Sequence, residues 1–143
     1  MPVEVIGIDH IYVAVRDLAR SSRFYDGVMA VLGYRRVEAP IGGDPHVHYY
    51  NRQFGFSLRP ARPATPAHDP YAPGLHHFCF RARSREDIDA VYRFAVDELD
   101  ARVVHPPEDG HFAPGYYSVL FEDPDGIRLE ANHVPGKGLL ATS

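Results

Sequence analysis

The chain has 143 residues, 45% of them apolar, which suits one domain or two small halves sharing a core. A formal charge of −4 with no basic block argues against nucleic acid as the main partner, and no apolar run reaches membrane-spanning length. A single cysteine, Cys79, excludes an internal disulfide framework; with no basic-then-apolar leader at the N-terminus, the expected compartment is a reducing cytoplasm.

Val5 to Val15 reads as a strand, with Ile6, Ile8, His10, Tyr12 and Ala14 on one face. Asp17 is placed to cap a helix running to about Leu32, whose apolar positions keep helical spacing, and Gly33 is placed to stop it. Three short strands follow, over Tyr34 to Ala39, His46 to Asn51 and Phe54 to Arg59. A proline-rich linker then spans residues 60–73, too stiff for a helix and too polar for a core strand. After it the pattern starts again. Leu75 to Ala82 is a strand, Ser84 a cap, Glu86 to Leu99 a helix, and Arg102 to His105, Tyr116 to Glu122 and Ile127 to His133 are three more strands. Between the last two, Asp123-Pro-Asp-Gly126 has the composition of a tight turn.

The two halves are a repeat. His10 to His77, Tyr25 to Tyr92 and Leu32 to Leu99 keep one offset of 67, and Gly55 to Gly126 gives 71, so the second half gains four residues near Glu108 to Gly115. The expected fold is α+β: two βαβββ modules, 5–60 and 74–134, whose curled mixed sheets pair to form a cleft. His10 and His77 are equivalent residues on the first strand of each module, and Glu130 lies on the last strand of the second. Two imidazoles and a carboxylate brought together in this way suit a catalytic divalent metal with open coordination positions. Cys79 is expected as a buried strand thiol. His46 and His48 share a face with Tyr50, either lining the cleft or standing as solvated edge residues. His76 should point away from His77, and Tyr12 and Tyr117 could line the pocket.

The chain resembles the vicinal oxygen chelate superfamily, which includes glyoxalase I, type I extradiol dioxygenases, methylmalonyl-CoA epimerase, fosfomycin thiol transferases and bleomycin resistance proteins. The resemblance is carried by Ile8-Asp-His-Ile-Tyr-Val-Ala-Val15 leading into Asp17-Leu18 and Phe24-Tyr25, by Leu75-His-His-Phe78, and by Asp123-Pro-Asp-Gly126 with Leu129-Glu130. It implies a metal held by His10, His77 and Glu130: one divalent ion per site, of the Fe, Mn, Zn or Ni kind. It also implies a small-molecule substrate and a homodimer, in which modules from one chain or from two form each cleft. On the offset of 71 the mate of Glu130 is Arg59, where glyoxalase I and the epimerase carry a fourth ligand; Arg59 either binds an anionic substrate group or faces solvent. His111 stands at the distance of the histidine in the extradiol signature, but Leu120 stands where that signature has tyrosine. Ser118 matches a fosfomycin-transferase serine, again with Leu120 in the tyrosine position and Leu139 where that group has a base. The implied activity is therefore broad: a metal-dependent enzyme of the lyase, isomerase, transferase or dioxygenase type acting on a small oxygen-rich substrate. Glu130 and His111 are its catalytic candidates, and Arg59, Tyr12, His48 and Ser118 its substrate-binding candidates. The alternative is a non-catalytic binding module of the bleomycin-resistance type.

Overall fold

A computed structural model of the chain describes residues 1–136. It divides into two compact units, one ending at Pro66 and the other beginning at Ala67. The first unit contains β1 (His10–Val15), α1 (Leu18–Val31), β2 (Arg35–Glu38), β3 (Val47–Tyr50) and β4 (Gly55–Pro60). The second contains β5 (Phe78–Arg81), α2 (Arg85–Asp97), β6 (Arg102–Asp109), β7 (Tyr117–Glu122) and β8 (Arg128–His133). Each is a βαβββ module, and their sheets share one order, β1-β4-β3-β2 and β5-β8-β7-β6. In both, the first strand pairs parallel with the last and the remaining pairs are antiparallel.

Local chemistry sets the helix boundaries. Asp17 accepts from the Arg20 amide at 3.0 Å and Ser84 from the Asp87 amide at 3.1 Å, each satisfying one of the donors a helix N-terminus leaves over. At the end of α1 the Gly33 amide bonds to Ala30 and the Tyr34 amide to Met29, with Gly33 at φ 84°. That paired closure needs a left-handed residue, which glycine supplies without strain.

The cores follow from alternation. In the first unit Val13, Val15, Val47, Tyr49, Phe56 and Leu58 are buried together with Phe24, Tyr25, Val28 and Met29 of α1. In the second, Phe78, Phe80, Val119, Phe121, Leu129 and Ala131 are buried with Ile88, Val91 and Ala95 of α2. The outer strands begin later than expected, at His10 rather than Val5 and at Phe78 rather than Leu75. The ladder explains the first case: β4 begins at Gly55, directly after the turn in which Asn51 Oδ1 accepts from the Gln53 and Phe54 amides. Its first bond runs from the Gly55 amide to the Asp9 carbonyl at 2.8 Å, so residues before Asp9 have no strand to pair with. β6 is longer than expected, running through Pro106 and Pro107 to Asp109 with breaks in its register against β7. It lies at the sheet edge, where a residue lacking an N–H is tolerated.

The Asp123 turn forms around one side chain: Asp123 Oδ1 accepts from the Asp125 and Ile127 amides, and Gly126 adopts φ 80°. The start of the linker is fastened to its own unit by Arg16, which donates to Thr65 Oγ1 at 3.1 Å and to the Thr65 carbonyl at 2.8 Å. No helix among the described residues is long and apolar enough to cross a membrane.

Candidate functional site

In the second unit the chemistry centres on Glu130. It lies in β8 between the buried Leu129 and Ala131, so alternation turns its side chain to the other sheet face, where it is nonetheless only 8% exposed. Its ladder neighbours are Cys79 on β5 and Leu120 on β7. Two groups hold the carboxylate. Tyr116 donates its hydroxyl to Oε1 at 2.5 Å, and His77 Nε2 lies 3.1 Å from Oε2. The Tyr116 phenol is pushed up to about 12, first by burial and then by the bond to Glu130, so it remains a donor at neutral pH. His77 in turn places Nδ1 2.7 Å from Nδ1 of His76. This leaves Nε2 as the nitrogen directed at the carboxylate.

In the first unit the equivalent face carries rings. His10 Nδ1 lies 2.6 Å from Asp9 Oδ2, which leaves Nε2 as the ring nitrogen not engaged by that carboxylate. Tyr12 packs edge-on against His10, His46 and His48, and His48 stacks between His46 and Tyr50. His48 is buried and bonded at both nitrogens, to Ser57 Oγ at 2.8 Å and to the Ala39 carbonyl at 3.0 Å. A cleft of about 310 Å³ opens beside these rings, between β1, β4 and the 51–54 turn. Among the described residues no group of three or more His, Cys, Asp or Glu side chains is placed to hold a metal ion; His77 and Glu130 bring an imidazole and a carboxylate from different segments of chain within 3.1 Å.

The sequence profile described as the Glyoxalase/Bleomycin resistance protein/Dioxygenase superfamily matches residues 7–131. The chain belongs to this superfamily. Among curated proteins it is similar to the uncharacterized protein YqjT of Bacillus subtilis, 29% identical over 130 residues, covering 85% of this chain and 94% of that one. Among solved structures, a glyoxylase/bleomycin resistance protein/dioxygenase domain from Frankia sp. EAN1pec superposes with a TM-score of 0.76 at 24% identity, covering 91% of this chain and 98% of that one. A glyoxalase/bleomycin resistance protein from Albidiferax ferrireducens T118 gives 0.71 at 25% identity, covering 89% and 98%.

Several sequence expectations for this superfamily member change in the structure. Phe78 pairs with Leu129 and Ile11 with Phe56, so the parallel registers make Ser57, not Arg59, the ladder equivalent of Glu130. An offset taken through the turn glycines misses this, because the second unit's extra residues are spread over its long edge strand and its turns. Arg59 instead pairs with Asp44 Oδ2 at 2.6 Å and is half-buried, so it is not simply a solvent-facing cation. Ser118 is buried in the ladder opposite Asn132, on the same side of the sheet as Glu130. His111 stands exposed in the loop between β6 and β7. Tyr12 is partly exposed at 44% and lines the first unit's cleft. Leu139 lies outside the described residues.

Four other readings are corrected. Cys79 is exposed rather than buried, because it alternates with the core residues Phe78 and Phe80. His46 and His48 are buried rather than solvated, through the ring stack and the bonds of His48. His76 meets His77 instead of pointing away from it. Tyr117 turns to α2, donating to Asp89 Oδ1 at 2.6 Å beneath the Arg85 guanidinium, and not to the face of Glu130. The residue sequence reasoning missed is Tyr116. It does not occupy the signature position at Leu120, but its even spacing from Ser118 and Leu120 places it on the Glu130 side of the sheet, and that parity was a usable signal.

Proposed function

We propose that this protein is a divalent-metal-dependent enzyme acting on a small oxygen-rich substrate, with the metal held by His77 and Glu130 of the second unit and by His10 of the first. The observation that carries this reading is the His77–Glu130 pair: an imidazole nitrogen and a carboxylate oxygen facing each other at 3.1 Å, with the carboxylate nearly buried and its other oxygen tied to Tyr116. A neutral imidazole and a carboxylate are the donor types that Fe, Mn, Zn and Ni accept, and the bond from His10 to Asp9 is the outer support such ligands commonly have.

When bound, a divalent ion supplies Lewis acidity towards the substrate's oxygens. The rest of the chemistry falls to the chain. Tyr116 holds Oε1 of Glu130, so Oε2 keeps one direction. His76 restrains the His77 ring, and Asp9 restrains that of His10. Ser118, on the Glu130 side of β7, offers a hydroxyl to a substrate oxygen. The reading gives no step to His111.

The test is metal content. Purified protein should carry close to one divalent ion per site, and His10→Ala, His77→Ala and Glu130→Ala should each lose it. Retention of metal by all three variants would sink the reading, and a metal-free wild-type protein that still binds small molecules would favour a binding module of the bleomycin-resistance type. His10 and the His77–Glu130 pair come from one chain or from two copies, and a homodimer is the expected assembly. Sedimentation showing a monomer at micromolar concentration would count against exchange between copies.

A further inference from the structure

The first unit's cleft has a donor and acceptor pattern of its own. The Ala39 carbonyl can only accept, so His48 Nε2, 3.0 Å away, carries a proton. With the single proton of a neutral imidazole placed there, Nδ1 accepts, and the Ser57 hydroxyl donates to it at 2.8 Å. The Ser57 hydrogen is thereby committed, and what its oxygen has left for a ligand is a lone pair. Ser57 lines the cleft while only 2% exposed, so that lone pair is the one feature it can turn to a hydroxyl or N–H on whatever enters.

The mouth of the cleft carries the opposite chemistry. Arg52, on the exposed turn between β3 and β4, is also a lining residue, and its guanidinium is the group there that suits a carboxylate, while the neighbouring Asp9 is engaged by His10. Between these poles the walls are the rings of His10, Tyr12 and Tyr50, which favour a flat partner. Gly55 forms the floor. A Cβ there would lie 3.4 Å from both His10 Cβ and the Tyr50 ring, so glycine keeps open the space between them. At about 310 Å³ the cleft is at the small end of ligand pockets, which run to about 1,000 Å³.

We infer that this cleft binds a compact planar carboxylate bearing a hydroxyl or amino group, the anion on Arg52 and the donor on Ser57. The duplication gives the position meaning: Ser57 stands in the ladder where the second unit has Glu130, so one unit presents a carboxylate and the other a neutral acceptor. The inference deepens the proposed function by naming its substrate class, and rests on that function only for the role of His10 at the wall.

The test uses the full chain stripped of metal with EDTA, titrated by calorimetry with 4-hydroxybenzoate, 4-aminobenzoate, benzoate and phenol. The first two should bind, and benzoate and phenol should each be about tenfold weaker for the interaction they lack. Arg52→Ala, an exposed turn substitution, should bring 4-hydroxybenzoate to the level of phenol, and Ser57→Ala should bring it to that of benzoate. Gly55→Ala, whose added Cβ stays at ordinary contact distance from its neighbours, should weaken all four. Absence of saturable binding by any of the four, equal affinity for benzoate and 4-hydroxybenzoate, or an Arg52→Ala protein that binds unchanged would overturn the inference. Because the metal is absent throughout, cleft binding in a protein that never holds metal fails only the metal reading. Metal binding without cleft binding fails only this one.

Discussion

Tyr116 donates its hydroxyl to Glu130 Oε1 across 2.5 Å, although the two residues lie on different segments of chain, the tyrosine just before β7 and the glutamate within β8. The bond fixes one carboxylate oxygen and leaves the other for His77. Tyr116→Phe keeps the ring and removes this restraint together with the hydroxyl's bond to Asn132. It should weaken divalent-metal affinity by about 10–100-fold, as loss of an outer partner of a metal ligand typically does. Competition against a chromophoric chelator measures this, with circular dichroism unchanged; an affinity equal to wild type would remove Tyr116 from the site.

The helix caps make a separate stability prediction. Ser84→Ala removes the acceptor of the Asp87 amide at the start of α2, and Asp17→Ala that of the Arg20 amide at the start of α1. Each should lower the free energy of unfolding by about 1 kcal/mol, read from urea denaturation. A change within error for both would mean that packing alone sets the helix starts.

Phe56 offers a larger effect. It is fully buried, with its ring centroid 5.1 Å from that of Tyr25 and 6.4 Å from that of Tyr49. Phe56→Ala leaves a void between helix and sheet and should cost about 3–5 kcal/mol. A loss below about 1 kcal/mol would show that the first unit's core collapses to fill the space.

Alkaline pH should destabilise the protein through its tyrosines. The Tyr34 phenol is pushed up to about 12 from 10.0, chiefly by burial, with a hydrogen bond to Asn51 acting in the other direction. Folding favours the neutral phenol, so this contribution is whole below the unfolded value near 10 and is lost as pH rises through about 12. Tyr116 acts in the same window. The thermal unfolding midpoint should fall between pH 10 and 12, and Tyr34→Phe should remove one late-ionising phenol from a titration followed by tyrosinate absorbance. A level midpoint across that interval would contradict the prediction.

What was legible in the sequence was what depends on neighbours along the chain. The caps Asp17 and Ser84, the stop at Gly33 and the Asp123 turn are decided within a few residues, and the structure shows each of them. The repeat was legible because both units had to bury the same helix face against the same strands. His77 and Glu130 could be picked out as a pair for that reason, one at the edge of a first strand and the other on the last.

The sequence by itself determined the α+β class, the two βαβββ modules and the residue types offered for chemistry. Only the tertiary structure decided which side chains meet. The ladder register replaced Arg59 by Ser57 as the counterpart of Glu130, and the ion pair with Asp44 gave Arg59 a different partner. It buried His48 against Ser57, exposed Cys79, and brought Tyr116 to Glu130 from outside the expected signature position. The physical reason is one of range. Helix caps and turns are written in consecutive residues, whereas strand register is set by pairing between segments far apart in the chain. A shift of two residues there keeps every side chain on its face while changing which residue it meets.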